Sequence, residues 1–158
     1  TQNKSGQVGK RMTGKLHIDR QTAYTNNLIN FAIVRSPYAR FESCYRHFKY
    51  PKDEVQSFGS RKAKFDPVWS PDDFLDHIEK VFAKGNIGNK HYAKQSWFIP
   101  EPQRLDHVIK LENLVKNWPF DFSPPDFVSN PTTVVPSIKY NREKLHHLYA
   151  EDFNVFGY

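Results

Sequence analysis

Phe31-Ala-Ile-Val-Arg-Ser-Pro-Tyr-Ala-Arg-Phe-Glu-Ser-Cys-Tyr-Arg-His-Phe48 is a short apolar run, then an arginine and a proline, then a stretch with helical periodicity. Phe31 to Val34 is too uniformly apolar to leave either face in water. Its length and β-branched content predict a buried parallel strand, starting at Asn30. Pro37 suits the first turn of a helix, where its missing N–H costs nothing. Tyr38, Phe41, Cys44 or Tyr45, and Phe48 then recur on one stripe, which predicts a helix over Pro37–Lys49. Arg35 therefore falls at the carboxyl end of a core strand, where open α/β sheets place their ligands. A guanidinium there, with the Ser43 hydroxyl two turns into the next helix, makes an anion site, most simply for a phosphate.

Working outward, Asp106–Leu111 predicts a second core strand, and Glu112–Asn117 the start of a helix. Two buried strands, each followed by a helix, point to an α/β fold with a parallel sheet, and further strands are expected beyond these two. Ser70-Pro-Asp-Asp73 has the marks of a helix start: a serine cap, a proline at the first position and acids in the first turn. Phe74, Leu75, Ile78, Val81 and Phe82 would be its buried face. Asn141–Asp152 predicts one more helix, with Leu145, Leu148 and Tyr149 inward. Asp19–Leu28 has the pattern of a short helix. Pro51–Trp69 is expected to be a long surface connection and Gly85–Lys90 a turn-rich loop. Pro119–Pro136, with five prolines and no periodicity, reads as an irregular loop.

The 158 residues are expected to form a single domain over 1–158. Aromatic residues are 15% of the chain, with 13 Phe and 8 Tyr, so the core is expected to be built on rings. A net charge of +6 favours anions, whether nucleic acid, anionic polysaccharide, nucleotide or membrane surface. The basic residues are scattered, and the densest stretch, Lys4–Lys15, is polar and glycine-rich, so residues 1–16 are expected to be flexible. No basic helix with interleaved aromatics speaks for a nucleic-acid partner. The histidines and the one cysteine lack ligand spacing, so no metal is expected. No acyl-transfer triad can be assembled around a nucleophile elbow. No apolar stretch approaches ~18 residues, so neither a transmembrane segment nor a signal peptide is expected.

Arg35-x-Pro37-x-x-Arg40-x-x-Ser43-x-Tyr45 resembles the 3′-phosphate-binding segment of sulfotransferases that use 3′-phosphoadenosine-5′-phosphosulfate (PAPS). The resemblance is to the branch of Golgi carbohydrate sulfotransferases and their bacterial relatives. Asp106-His-Val-Ile-Lys-Leu-Glu-Asn-Leu114 resembles that branch's second core strand and following turn. Leu145-His-His-Leu-Tyr-Ala-Glu-Asp-Phe-Asn-Val-Phe-Gly-Tyr158 resembles its C-terminal helix and ending. The resemblance implies a P-loop-like parallel sheet flanked by helices, and transfer of a sulfuryl group from PAPS to a hydroxyl of a carbohydrate or glycolipid, leaving adenosine 3′,5′-bisphosphate. Secreted and Golgi members carry disulfides, which Cys44 alone cannot form. A reducing compartment is therefore expected, the cytoplasm of a bacterium or of a viral host.

That chemistry needs a loop for the 5′-phosphosulfate, a separate grip on the 3′-phosphate and a base for the attacking hydroxyl. Arg35 and Ser43 match the grip residue for residue; the plainer alternative is a surface ion pair and a solvent-facing serine. Arg40 either contacts phosphate or pairs with an acid such as Glu42. The phosphosulfate loop of the family, with a Pro-Lys-x-Gly-(Ser/Thr)-like core on the first strand, has no counterpart in residues 1–30. Lys4-Ser-Gly-Gln-Val-Gly-Lys10 has suitable residue types, but no apolar strand precedes it and its glycine spacing departs from a P-loop. The first strand and its loop are therefore expected upstream of Thr1, which is not a methionine. Without that loop, the alternative is a non-catalytic nucleotide- or polyanion-binding module of the same fold.

His17, shortly before the core strand, is the candidate base, since an imidazole near its ordinary pKa accepts a proton at neutral pH. Its alternatives are to cap the Asp19 helix or to lie in the flexible start. Asn89-Lys-His-Tyr-Ala-Lys-Gln95 resembles the family's segment near the acceptor, which makes His91, Lys94 and Gln95 candidate acceptor-binding residues. Asn130, Ser137 and Lys139 fall where the family closes over adenine and 3′-phosphate. Glu112 is read as an acid that fixes the turn after the second strand, and His146 and His147 as half-exposed structural residues. Trp69, Trp97 and Trp118 are read as packing residues.

Overall fold

Residues 29–50, 65–66, 68–124 and 137–158 are described by a computed structural model of the chain. The flexible start expected for residues 1–16, the Asp19–Leu28 helix, His17 and Asn130 lie outside these residues. Strand β1 is Phe31–Val34 and strand β2 is His107–Lys110. They pair in parallel, Phe31 opposite His107 and Val34 opposite Lys110. Helix α1 (Pro37–Lys49) and helix α2 (Pro71–Ala83) lie between the two strands in sequence. Helices α3 (Arg142–Leu148) and α4 (Ala150–Phe156) follow. Among the described residues the sheet has two strands, so the expected α/β class with a parallel sheet holds, and the additional strands do not appear there.

The capping signal at Ser70 is realised in full. Its hydroxyl accepts from the Asp73 N–H, and the Asp73 carboxylate accepts from the Ser70 N–H, closing a reciprocal box around the first turn of α2. Helix α1 starts at Pro37 without a side-chain cap and buries Phe41, Cys44, Tyr45 and Phe48. Phe74 of α2 is the centre of the core. Its ring lies 5.7 Å from Phe41, 5.2 Å from Phe65 and 5.7 Å from Tyr92, and Leu145, Tyr149 and Phe153 of the C-terminal helices complete the cluster. The core is thus built on rings, as the composition foretold. Helix α3 is bound to α2 from outside by the Lys144 ammonium, 2.6 Å from Asp76 and 2.7 Å from Glu79.

Four expectations need correction. β1 is not buried on both faces: Val34 is buried, but Phe31 is 44% exposed and packs edge-on against Trp118 and Phe120 instead of beneath another layer. The end of the Pro51–Trp69 segment is surface only in part: Asp66 and Val68 are exposed, but Phe65 is buried and Trp69 packs against the same core. After β2 the chain makes a single 3-10 turn, Leu111–Asn113, rather than a helix. The terminal helix is two helices, because Tyr149 takes φ −110° and ψ 21° between α3 and α4. Among the described residues no helix is long and apolar enough to cross a membrane, and no cluster of three or more His, Cys, Asp or Glu could hold a metal ion.

Candidate functional site

The parallel pairing of β1 with β2 brings Arg35 and the Leu111–Asn113 turn to the same end of the sheet. Arg35 is held there through its backbone. Its N–H donates to Gln95 Oε1 at 2.9 Å, and Gln95 Nε2 donates to its carbonyl at 2.8 Å, so a side-chain amide takes the place of a neighbouring strand. The next N–H, that of Ser36, donates to Glu112 Oε1 at 2.8 Å. Glu112 Oε2 in turn accepts from the Tyr158 hydroxyl at 3.2 Å. Lys110 closes the corner: its ammonium donates to the Gly157 carbonyl at 2.5 Å and sits 4.5 Å from the centre of the Tyr158 ring.

The Arg35 guanidinium itself makes no hydrogen bond or ion pair among the described residues. Burial lowers its pKa, while the charges of Glu112 and Glu42 pull it back up. An arginine so placed stays cationic and partly stripped of water. The charges of Glu42, Arg46 and Arg40 on α1 also act on the Arg35 guanidinium. Ser43 is partly buried, and its hydroxyl likewise has no partner among the described residues. Among the described residues Arg46 has its Nε buried without a partner and makes a long 3.5 Å contact to Glu42. A guanidinium at a strand end, without a hydrogen-bond partner among the described residues, can bind a multiply charged oxyanion, and the Ser43 hydroxyl on the following helix is a further donor.

Residues 2–120 match the model of the sulfotransferase family. The chain belongs to the sulfotransferase family. No curated protein and no solved structure matches it. The matched stretch includes Arg35, Ser43, Gln95 and both strands, and stops short of α3 and α4.

In this sulfotransferase the 89–95 segment folds over the exposed side of α1. Gly88 adopts φ +67°, and a Cβ there would stand 2.5 Å from the Tyr92 ring, so glycine lets the loop turn tightly against the core. Arg40 does not pair with Glu42. Its guanidinium donates to the Ala93 carbonyl and, at 2.9 Å, to the Lys90 carbonyl, which fastens the loop to α1. His91 projects beside His47, their ring centres 5.4 Å apart, with Phe48 at 6.0 Å. Desolvation first, then the neighbouring His47, Lys90 and Arg40, lower its pKa, so at neutral pH the imidazole is uncharged. Lys94 turns the other way, 3.4 Å from Glu151 and 5.4 Å from the Trp97 ring centre.

The structure thus brings Arg35 and Gln95 to one corner, leaves Ser43 two turns along α1, and turns Lys94 toward Glu151 and Trp97. Gln95 is buried with both amide atoms bound to backbone, so it holds the strand end rather than facing a ligand. Glu112 ties the turn after β2 to the Ser36 N–H and the Tyr158 hydroxyl. Two residues escaped the sequence reading. Asp152, fully buried, accepts from the N–H groups of Gln95 at 2.8 Å and Ser96 at 2.9 Å. Tyr158 binds Glu112. For Asp152 the signal was available: it continues the inward stripe of Leu145, Tyr149 and Phe153, and an acid on an apolar stripe has a buried partner.

Proposed function

We propose that this sulfotransferase takes its sulfuryl group from PAPS and passes it by in-line transfer to a hydroxyl of a carbohydrate or glycolipid. Its β1 and β2 are then adjacent strands of a P-loop-like sheet. The observation that carries the reading is the Arg35 guanidinium, free of protein partners among the described residues and fixed at its base by Gln95. Its chemistry fits a phosphate, and the Ser43 hydroxyl supplies a second, neutral donor on the following helix. These two residues hold the 3′-phosphate, the group that distinguishes PAPS from other adenine nucleotides. When bound, the nucleotide supplies an activated sulfuryl group.

His17 is the proposed base, taking the proton of the acceptor hydroxyl. His91, exposed beside His47 and Phe48 at the far end of α1 and with its pKa lowered chiefly by desolvation, accepts a hydrogen bond from the acceptor sugar, and Lys94 lines the other side of the same loop. The competing reading is a binding module of the same fold without chemistry, favoured by the lack of a phosphosulfate loop within residues 1–30.

Titration calorimetry with adenosine 3′,5′-bisphosphate and with AMP tests the proposal. The bisphosphate is expected to bind at least about 10-fold more tightly, the factor that goes with one hydrogen-bonded charge pair, and the difference is expected to vanish in Arg35→Ala with Ser43→Ala. Equal affinity for the two nucleotides in the unaltered chain would overturn it.

A further inference from the structure

The Arg35 corner is linked by hydrogen bonds to helix α4. Asp152, on α4 and outside the stretch that matches the family, is the only fully buried acid among the described residues. Its two carboxylate oxygens accept from consecutive backbone N–H groups, Gln95 at 2.8 Å and Ser96 at 2.9 Å. That fixes the backbone from which the Gln95 side chain springs. The Gln95 amide then reads both polar groups of the Arg35 backbone, donor to acceptor and acceptor to donor. Asp152 on α4, Gln95 in the loop and Arg35 just after β1 therefore form one chain of short hydrogen bonds, and the residue at its end is the one whose guanidinium has no hydrogen-bond partner among the described residues.

The network does more than pair buried groups. Hydrogen bonds to one oxygen of Asp152 would satisfy it partially, whereas two successive N–H groups set the orientation of the 95–96 peptide as well as its position. A primary amide that bridges a residue's own N–H and C=O sets both φ-side and ψ-side of that residue, so Arg35 has no freedom to rotate its Cα–Cβ direction. Arg40 adds a brace, since its bonds to the Ala93 and Lys90 carbonyls hold the same loop from α1. An arginine loses several rotatable bonds on gripping a ligand, and fixing its stem lowers that cost.

We infer that Asp152 and Gln95 are positioning residues for Arg35: the C-terminal helix sets, through the Gln95 amide, where the guanidinium meets the 3′-phosphate. This rests on the proposed reading of Arg35 as the 3′-phosphate grip. It adds that the selectivity for a 3′-phosphate is determined in part by a residue on α4.

The test uses the full chain and four variants: Gln95→Met, which keeps length but loses both amide bonds; Asp152→Asn, which keeps shape and one acceptor; Arg35→Ala; and Gln95→Glu, which keeps the acceptor toward the Arg35 N–H but loses the donor. Adenosine 3′,5′-bisphosphate and AMP are titrated into each well below its melting temperature, and the two phosphorus resonances of bound bisphosphate are recorded by phosphorus NMR. Gln95→Met and Asp152→Asn are expected to lower bisphosphate affinity about 10-fold and leave AMP affinity within about 2-fold, with Gln95→Glu between them and the unaltered chain. The 3′-phosphorus resonance should move toward its free position while the 5′-phosphorus does not, a change that general loosening of the fold would not produce. If Arg35→Ala abolishes the selectivity but Gln95→Met and Asp152→Asn keep it, the positioning role is overturned and the phosphate grip stands. If the unaltered chain does not distinguish the nucleotides, the reading of Arg35 fails and takes the inference with it. Loss of selectivity only together with the cooperative melting transition would assign both residues to folding alone, and overturn the inference as well.

Discussion

Several single side chains carry tasks that their neighbours in sequence do not reveal. Cys44, the one thiol, is buried on the inner face of α1, and desolvation pushes its pKa up to about 12, so it is a core residue without nucleophilic character at neutral pH. His91 is the opposite case, an imidazole beside His47 on the 89–95 loop whose pKa is lowered by desolvation first and then by His47, Lys90 and Arg40. In the unfolded chain that histidine binds its proton near pH 6.5. In the folded protein it binds later, as the pH falls further. Between those values the unfolded state holds more protons, so the stability of the fold must fall as the pH is lowered through 6.5 and level off below the folded pKa. Thermal melting followed from about pH 7.5 to about pH 5 should therefore show a smaller drop for His91→Gln than for the unaltered chain. An equal drop in both would mean that the imidazole is not strained by its surroundings.

The elements divide by how locally they are determined. Helix α2 was legible to its first residue because everything that starts it lies within four positions: Ser70, Pro71 and the acids. Replacing Ser70 with alanine should cost about 1 kcal/mol, the ordinary worth of such a cap. It should also raise the Asp73 carboxyl, which is now held below its usual value chiefly by the Ser70 hydroxyl and N–H. A urea titration gives the first and the carbon shift of the Asp73 carboxyl the second; an unchanged Asp73 would show that the box is not closed in solution. Helix α1 was equally legible from Pro37 and its aromatic stripe. The C-terminal pair was not, because nothing in Arg142–Phe156 marks a stop at Tyr149. The break belongs to tertiary bonds, the Tyr149 hydroxyl donating to the Tyr92 carbonyl and Asp152 reaching the 95–96 backbone. The motif placed Arg35 and Ser43 in the site, yet the Gln95 clamp that fixes Arg35 spans 60 positions of sequence, and no local periodicity encodes it.

At the scale of the molecule the question is whether the net charge of +6 or the Arg35 corner dominates binding. The two respond to salt differently. Exposed, scattered charges attract any polyanion, and their effect decays over a Debye length that shrinks from about 10 Å at about 0.1 M salt to about 3 Å at about 1 M. Affinity of that kind falls steeply and linearly on a double-logarithmic plot. Arg35 is partly desolvated, and a phosphate that meets it is held by directed hydrogen bonds over less than 3 Å or so, inside any ionic atmosphere. Raising sodium chloride from about 0.1 M to about 0.5 M should therefore weaken the binding of a highly sulfated polysaccharide by about 100-fold or more, in proportion to the counter-ions released. Over the same range the ratio of bisphosphate to AMP affinity should change by less than about 3-fold, since the extra long-range attraction on the 3′-phosphate is small beside its directed, short-range bonds to Arg35. A ratio that collapses along with polysaccharide binding would place the molecule among general polyanion binders of the same fold. A ratio that survives would mean that the corner built by β1, Gln95 and Asp152, and not the overall charge, selects the ligand.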